Sequence, residues 1–225
     1  MVLAKAENDP ALYGLILLSA TTGMRPSEYL ALRWSDFDLE TETICVQRSL
    51  SRKQRIGTTK AKTSNRTIKL SASVAAHFKT TRDTQFQTAQ ANGNQPPSAD
   101  ELVFPSSAGT AIDQANLRRR VKRLYAQAEL PDATRVYDLR HTATTLLLSQ
   151  GENIKVVSER LGHSSSAMTL DVYGHVLPHM QDEAAERMET MLFGRPPEPK
   201  ASSPEPEAGG VNQPSCTEMP QLPSA

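Results

Sequence analysis

Two arginines, a histidine and a tyrosine stand at the junctions of short helical segments: Arg25 in TGMRPSEYLALRW, Arg140 in YDLRHT, and His163 with Tyr173 in LGHSSSAMTLDVYGH. Their shared chemistry is that of phosphate. A guanidinium fork binds two non-bridging phosphate oxygens at once, an imidazole adds a further hydrogen bond, and a phenolic oxygen can attack phosphorus to give a covalent ester. In-line attack builds negative charge on the equatorial oxygens, so such a site needs cations fixed before the reaction begins. Each residue also has an ordinary explanation. Arg25 can pair with Glu28 and Arg140 with Asp138 at the surface, His163 can be structural, and Tyr173 can be a half-buried packing residue. Arg140 argues for the sharper reading, because a cation in the first turn of a helix opposes the helix dipole unless an anion is its partner.

The elements that must position these residues are marked by their ends. Asp9 and Pro10 supply an N-cap and a first helical residue, the spacing of Leu12, Leu15 and Ile16 carries the helix to about Thr22, and Gly23 stops it. Pro26 starts a second helix to about Arg33, which leaves Arg25 in the tight junction. The β-branched stretches Thr43–Arg48 and Arg66–Leu70, separated by a polar loop containing Gly57, predict a hairpin with Lys60 and Lys62 at the mouth of its second strand. A helix from about Ser71 to Ala91, a loop over 92–100, and a basic helix capped by Asp113 and closed by Pro131 follow. Further helices are expected over Asp138–Gln150 and Asn153–Leu161, stopped by Gly151 and Gly162, then from about Ser166, and over Pro178–Leu192. In that last helix Met180, Ala184, Met188, Met191 and Leu192 form an apolar stripe, whose ordinary reading is packing on its own domain. The fold class is mainly α with a small antiparallel β-sheet (α+β).

The 225 residues carry 25 Lys and Arg against 25 Asp and Glu, so formal net charge is zero. Distribution matters more than the sum. No acidic residue occurs between Thr43 and Arg82, where ten basic ones do, and Arg118, Arg119, Arg120, Lys122 and Arg123 crowd one helix. Either cluster alone could be a solvated face; together they predict a basic side, with Lys60, Arg66, Arg118, Arg119 and Lys122 as candidates to meet a nucleic-acid backbone. Cys45 and Cys216 show neither pairing nor metal-ligand spacing, no grouped carboxylates suggest a metal site, and no run is long and apolar enough to cross a bilayer. A reducing, cytoplasmic setting is expected. Residues 1–193 should form one domain, and the Pro-, Ser- and Glu-rich residues 194–225 a disordered tail.

Four stretches, TGMRPSEYLALRWSDFD, TKAKTSNRTIKL, YDLRHTATTLLLSQG and LGHSSSAMTLDVYGHV, resemble in order and spacing the catalytic domain of the tyrosine recombinases, or phage-type integrases. The resemblance runs from about Leu12 to Leu192. It implies that Arg25 and Arg140 are the two catalytic arginines, His163 the histidine beside them, Tyr173 the nucleophile and Glu28 the acidic support of Arg25. Lys62 aligns with the hairpin lysine that protonates the departing 5′ oxygen, with Lys60 as the alternative. Tyr137 stands where the family usually has a histidine; a phenol can hydrogen-bond a phosphate but is no base at neutral pH, so slower chemistry is expected. His141, one step from Arg140 and about a hundred degrees around the helix, is assigned to packing.

The activity implied is site-specific recombination of double-stranded DNA through a 3′-phosphotyrosyl intermediate. It needs neither metal nor nucleotide cofactor and no small-molecule substrate, and runs in a homo-oligomer, a tetramer, on DNA. The family's N-terminal clamp domain is expected to be absent from this chain. Two rival readings remain open: a catalytically inert DNA-binding remnant, favoured by Tyr137 and the zero net charge, and a helical protein-interaction module.

Overall fold

Apolar positions spaced three and four apart fall on helices, and the β-branched ones on short strands. The computed structural model describes residues 2–58, 64–95, 97–173 and 180–194. In order these form α1 (Val2–Ala6), α2 (Pro10–Thr22), α3 (Pro26–Tyr29), a 3-10 turn (Trp34–Asp36), β1 (Phe37–Asp38), β2 (Thr43–Val46), β3 (Arg48–Leu50), β4 (Ile56–Thr58) and β5 (Arg66–Lys69). Then come α4 (Ala72–Ala91), α5 (Gln114–Gln127), α6 (Asp138–Ser149), α7 (Ile154–Leu161), α8 (Ser166–Tyr173) and α9 (Met180–Phe193). The mainly helical class with small antiparallel sheets is what the sequence predicts.

Helix ends obey local chemistry. Asp9 Oδ1 accepts from the Leu12 N–H, Pro10 occupies the first turn, and Gly23, in the left-handed region at φ 65°, closes α2 by donating its N–H to the Ser19 carbonyl. Asp113 caps α5 and Asn153 caps α7 in the same manner as Asp9. The expected α3 is shorter than its pattern. It stops at Tyr29 because Leu30, Ala31 and Leu32 are buried and the chain straightens there. The Leu32 carbonyl accepts from Val103 N–H at 3.0 Å and Arg33 bridges Leu102.

The predicted hairpin is partly redrawn. β2 and β5 do pair antiparallel, with Ile44 opposite Ile68, and β1 adds to the other edge of β2. The intervening segment is not a plain loop. The chain breaks at Gln47 and makes a second two-stranded sheet, β3 with β4, in which Gly57 lies opposite Ser49. Each strand has one apolar residue, Leu50 opposite Ile56, and the turn between them is polar and basic, so no apolar alternation reveals the pair. Lys60 and Lys62, between β4 and β5, lie outside the described residues.

The core holds Leu15, Leu18, Tyr29, Ile44, Ile68, Phe78 and Leu117, with Phe78 meeting Phe37 and Phe104 at ring-centroid distances of 5.1 and 6.1 Å. A second cluster of Leu148, Val157, Leu161 and Tyr173 joins α6, α7 and α8. Arg160 staples α7 to the end of α2 through Thr21 O and to β5 through Lys69 O. Residues 1–180 form one compact unit and 181–225 a second. Within α9, Met188, Met191, Leu192 and Phe193 are exposed. The side chains of Met180 and Ala184, and the expected tail beyond residue 194, lie outside the described residues.

Gly23 couples this scaffold to the polar residues above it. A Cβ there would stand 2.7 Å from the buried Leu161 Cδ2, in a left-handed conformation that L side chains disfavour. Gly23→Ala should therefore cost about 1–3 kcal/mol, read as a lower urea midpoint at unchanged slope.

Candidate active site

Arg25 sits at the N-cap of α3, where its own backbone N–H and its Nη1 both donate to the Glu28 carboxylate at 2.9 Å. Glu28 is buried and takes a second guanidinium: Arg66 Nη2 and Nη1 donate to it at 2.8 and 3.2 Å. Arg66 Nε donates in turn to Arg160 O at 2.6 Å. Arg66, expected as a DNA contact, has a side chain only 6% exposed, held by the Glu28 carboxylate and the Arg160 carbonyl. Burial pushes the Glu28 carboxyl up, but the hydrogen bonds and charge of Arg66, followed by Arg25, outweigh that and hold it below the usual range.

Arg140, in the first turn of α6, is 1% exposed. Its fork is filled by backbone at the C-terminal ends of two helices. Nη1 donates to Gly23 O at 2.6 Å, past the end of α2, and Nη2 to Leu161 O at 2.8 Å, at the end of α7. Those carbonyls are the negative poles of their helices, and this is how a guanidinium survives at a helix start. Asp138 is not its partner; that carboxylate pairs with Arg135. Burial, then the nearby Arg25, pull the Arg140 guanidinium down to about 10, so it stays charged at neutral pH.

Arg25 shares one of these carbonyls and takes its neighbour more loosely, Nη1 to Leu161 O and Nη2 to Gly162 O, both at 3.4 Å. The two guanidiniums therefore converge on one oxygen. Gly162, at φ 66°, makes the turn that presents it, and a Cβ there would lie 2.8 Å from Arg66 Nη1. His163 follows directly, with Nε2 2.9 Å from Arg140 Nη2 and Nδ1 2.8 Å from Thr169 Oγ1. A guanidinium only donates, so Nε2 accepts and the ring proton belongs on Nδ1, donated to Thr169. Burial, then Arg140, Arg25 and Arg66, push the imidazole down to about 4.

Tyr173 ends α8, 5% exposed, with its ring in the cluster that includes Leu161. Its Oη lies 2.6 Å from His141 Nδ1. Burial pushes this phenol up, opposed by Thr144 and Arg140. Tyr137 is 39% exposed at the rim, its ring edge-on to His141 at 5.2 Å. Arg25, Glu28, Arg140, His163 and Tyr173 are thus brought together. Arg118, Arg119 and Lys122 lie apart on the exposed face of α5. Arg118 and Lys122 share a cleft of about 360 Å³ with Pro26 and Tyr137, and Arg119 lines another of about 970 Å³ with Arg123, Ser106 and Ser107. A third cleft, of about 700 Å³, opens beside His163, Arg66 and Ser164. Among the described residues no three His, Cys, Asp or Glu side chains come together as metal ligands.

Sequence reasoning missed three participants. His141 was assigned to packing, although its place four residues after Tyr137 puts both on one helix face. Arg66 was expected to meet a nucleic-acid backbone, not to pair with Glu28. Thr169, six residues beyond His163, carries no recognisable signal.

A profile of the phage integrase family matches residues 2–180. Over 196 residues the chain is 32% identical to a protein named tyrosine recombinase XerC-like from Caldanaerobacter subterraneus subsp. tengcongensis, which covers 81% of this chain and 50% of that one. It is 31% identical over 174 residues to the ICEBs1 integrase of Bacillus subtilis, covering 76% of this chain and 46% of that one. Among solved structures, the Tn1549 transposon integrase in complex with circular intermediate DNA matches with a TM-score of 0.69 at 25% identity, over 83% of this chain and 64% of that one. The chain spans about half the length of the curated relatives it matches.

Two measurements check the electrostatics. Glu28→Gln leaves two guanidiniums facing each other without the carboxylate, and should lower stability by about 3–5 kcal/mol in urea unfolding. His163 has a folded value of about 4 against 6.5 when free, so between those values the unfolded chain binds more protons. Its contribution is complete above 6.5 and is lost as pH falls towards 4. The urea midpoint should drop from pH 7 to pH 5, and His163→Gln should flatten that drop.

Proposed function

This chain belongs to the phage integrase family, and from that premise we propose that it breaks and rejoins double-stranded DNA site-specifically, with Tyr173 attacking the scissile phosphate to form a 3′-phosphotyrosyl link. One observation carries the reading. Three guanidiniums, those of Arg25, Arg66 and Arg140, gather where the described residues supply one buried carboxylate, that of Glu28, which pairs with the first two; Arg25 and Arg140 converge on Leu161 O beside His163. That leaves uncompensated positive charge, preset in a desolvated pocket, where a phosphate would gather negative charge in the transition state.

In this reading Arg25, 31% exposed and bound to Leu161 O and Gly162 O only at 3.4 Å, exchanges those weak contacts for phosphate oxygens. Arg140 meets the phosphate from below, oriented by the helix ends. His163 accepts from Arg140; an arriving anion favours its protonated form, which then donates to the phosphate. Tyr137 contributes a hydrogen bond at the rim. Lys62, or Lys60, protonates the departing 5′ oxygen in this reading. The bond energy is held in the tyrosyl ester, so a second strand's hydroxyl reverses the step without metal or nucleotide.

The basic face of α5 supports a DNA path. Arg118 and Lys122 line one cleft with Tyr137 and Pro26, and in this reading these cations, with Arg119, contact the phosphate backbone. Assembly into a tetramer on DNA in the cytoplasm completes the proposal, supported by the exposed Met188, Met191, Leu192 and Phe193 of α9.

The test is a nicked duplex whose short 3′ fragment diffuses away after cleavage and traps the adduct. The wild-type chain should yield a covalent protein–DNA species that Tyr173→Phe abolishes completely. No adduct with DNA binding retained would instead identify an inert DNA-binding remnant.

A further inference from the structure

The phenol of Tyr173 is a poor nucleophile until it loses its proton, and its buried position makes that harder. Resting on the reading of Tyr173 as nucleophile, we propose that His141 is the base that takes this proton. Its Nδ1 lies 2.6 Å from Tyr173 Oη, within direct hydrogen-bond reach and with no intervening group. The phenol can donate only if Nδ1 carries the lone pair, which puts the ring proton on Nε2.

The other candidates among the described residues are committed elsewhere. His163 directs Nε2 to Arg140 and Nδ1 to Thr169, in a field of three cations that opposes protonation. Glu28 is occupied by Arg25 and Arg66. Tyr137, at the position where a histidine would supply a neutral-pH base, has no basic nitrogen; its ring packs edge-on against His141 instead, one helical turn away, and fixes the imidazole's orientation. His141 therefore occupies the contact with the phenol, and Tyr137 acts through it as a positioning residue.

The step balances. The Tyr173 O–H bond breaks as the Oη–P bond forms, and the proton passes to His141 Nδ1. The P–O5′ bond breaks, and its electron pair leaves with the 5′ oxygen, which takes a proton from the hairpin lysine. When a 5′ hydroxyl attacks the phosphotyrosine, its proton passes back to the hairpin lysine, the O5′–P bond forms as the Oη–P bond breaks, and the imidazolium returns its proton to the departing phenolate. Nothing is oxidised or reduced.

The experiment uses the whole 225-residue chain and a pool of labelled, nicked duplexes of randomised sequence, with initial rates of covalent adduct formation and DNA affinity measured together. His141→Asn keeps an acceptor near the Nδ1 position but no basicity. It should bind DNA as the wild type does and form adduct about 100-fold more slowly or worse. Added imidazole should restore a large part of the rate of His141→Ala and none to Tyr173→Phe. Wild-type rates in His141→Asn, or a slow His141→Ala that imidazole leaves slow, overturn the assignment and reduce His141 to a packing contact. Failure of the wild-type chain to give any Tyr173-dependent adduct overturns the nucleophile reading itself, and this inference with it.

Discussion

The structure around the site depends on a buried cation held by helix ends. Arg140 is almost wholly removed from water, and what compensates its charge is not a carboxylate but the carbonyls of Gly23 and Leu161. Both lie at helix C-termini, where carbonyls lack intrahelical partners and the dipole is negative. A carboxylate in the same place would neutralise the guanidinium and close the fork to any further anion. Carbonyls satisfy its hydrogen bonds while leaving most of its charge to act on what approaches.

That choice sets the rest of the site. Two glycines in the left-handed region are needed to end α2 and α7 at the right place, and neither tolerates a Cβ, since Leu161 crowds one and Arg66 the other. The single carboxylate nearby, Glu28, is divided between Arg25 and Arg66 and so anchors the start of β5 to α3. The surplus of positive charge shows in His163, which burial first and then three arginines push towards neutrality. Tyr173 enters through the apolar side of the same junction, packed on Leu161, whose carbonyl receives both guanidiniums. One residue thus transmits position between the charged and apolar halves of the site.

Helix positions were legible in the sequence because their signals are local. Asp9 with Pro10, Asp113, Asn153, Gly23 and Gly162 each fix an end through bonds to residues within four positions. The β2–β5 pairing was legible for a related reason: both segments are β-branched and one face of each is buried. The β3–β4 arm was not, because each strand holds one apolar residue, Leu50 and Ile56, too few to show alternation, and its pairing depends on where β2 ends. α3 was read too long because the bond from Val103 that straightens the chain lies some seventy positions away.

The residue types and order of Arg25, Glu28, Arg140, His163 and Tyr173 were determined by the sequence, as was their placement at helix junctions, since capping and spacing act over single turns. Only the tertiary structure decided which partners each one takes. Arg66 could be surface charge or buried ion pair, and His141 packing or proton acceptor, with the same neighbours in sequence. The difference is whether residues 38 and 32 positions away arrive within hydrogen-bond distance. Such contacts fall off within an ångström or so, and no local pattern encodes them.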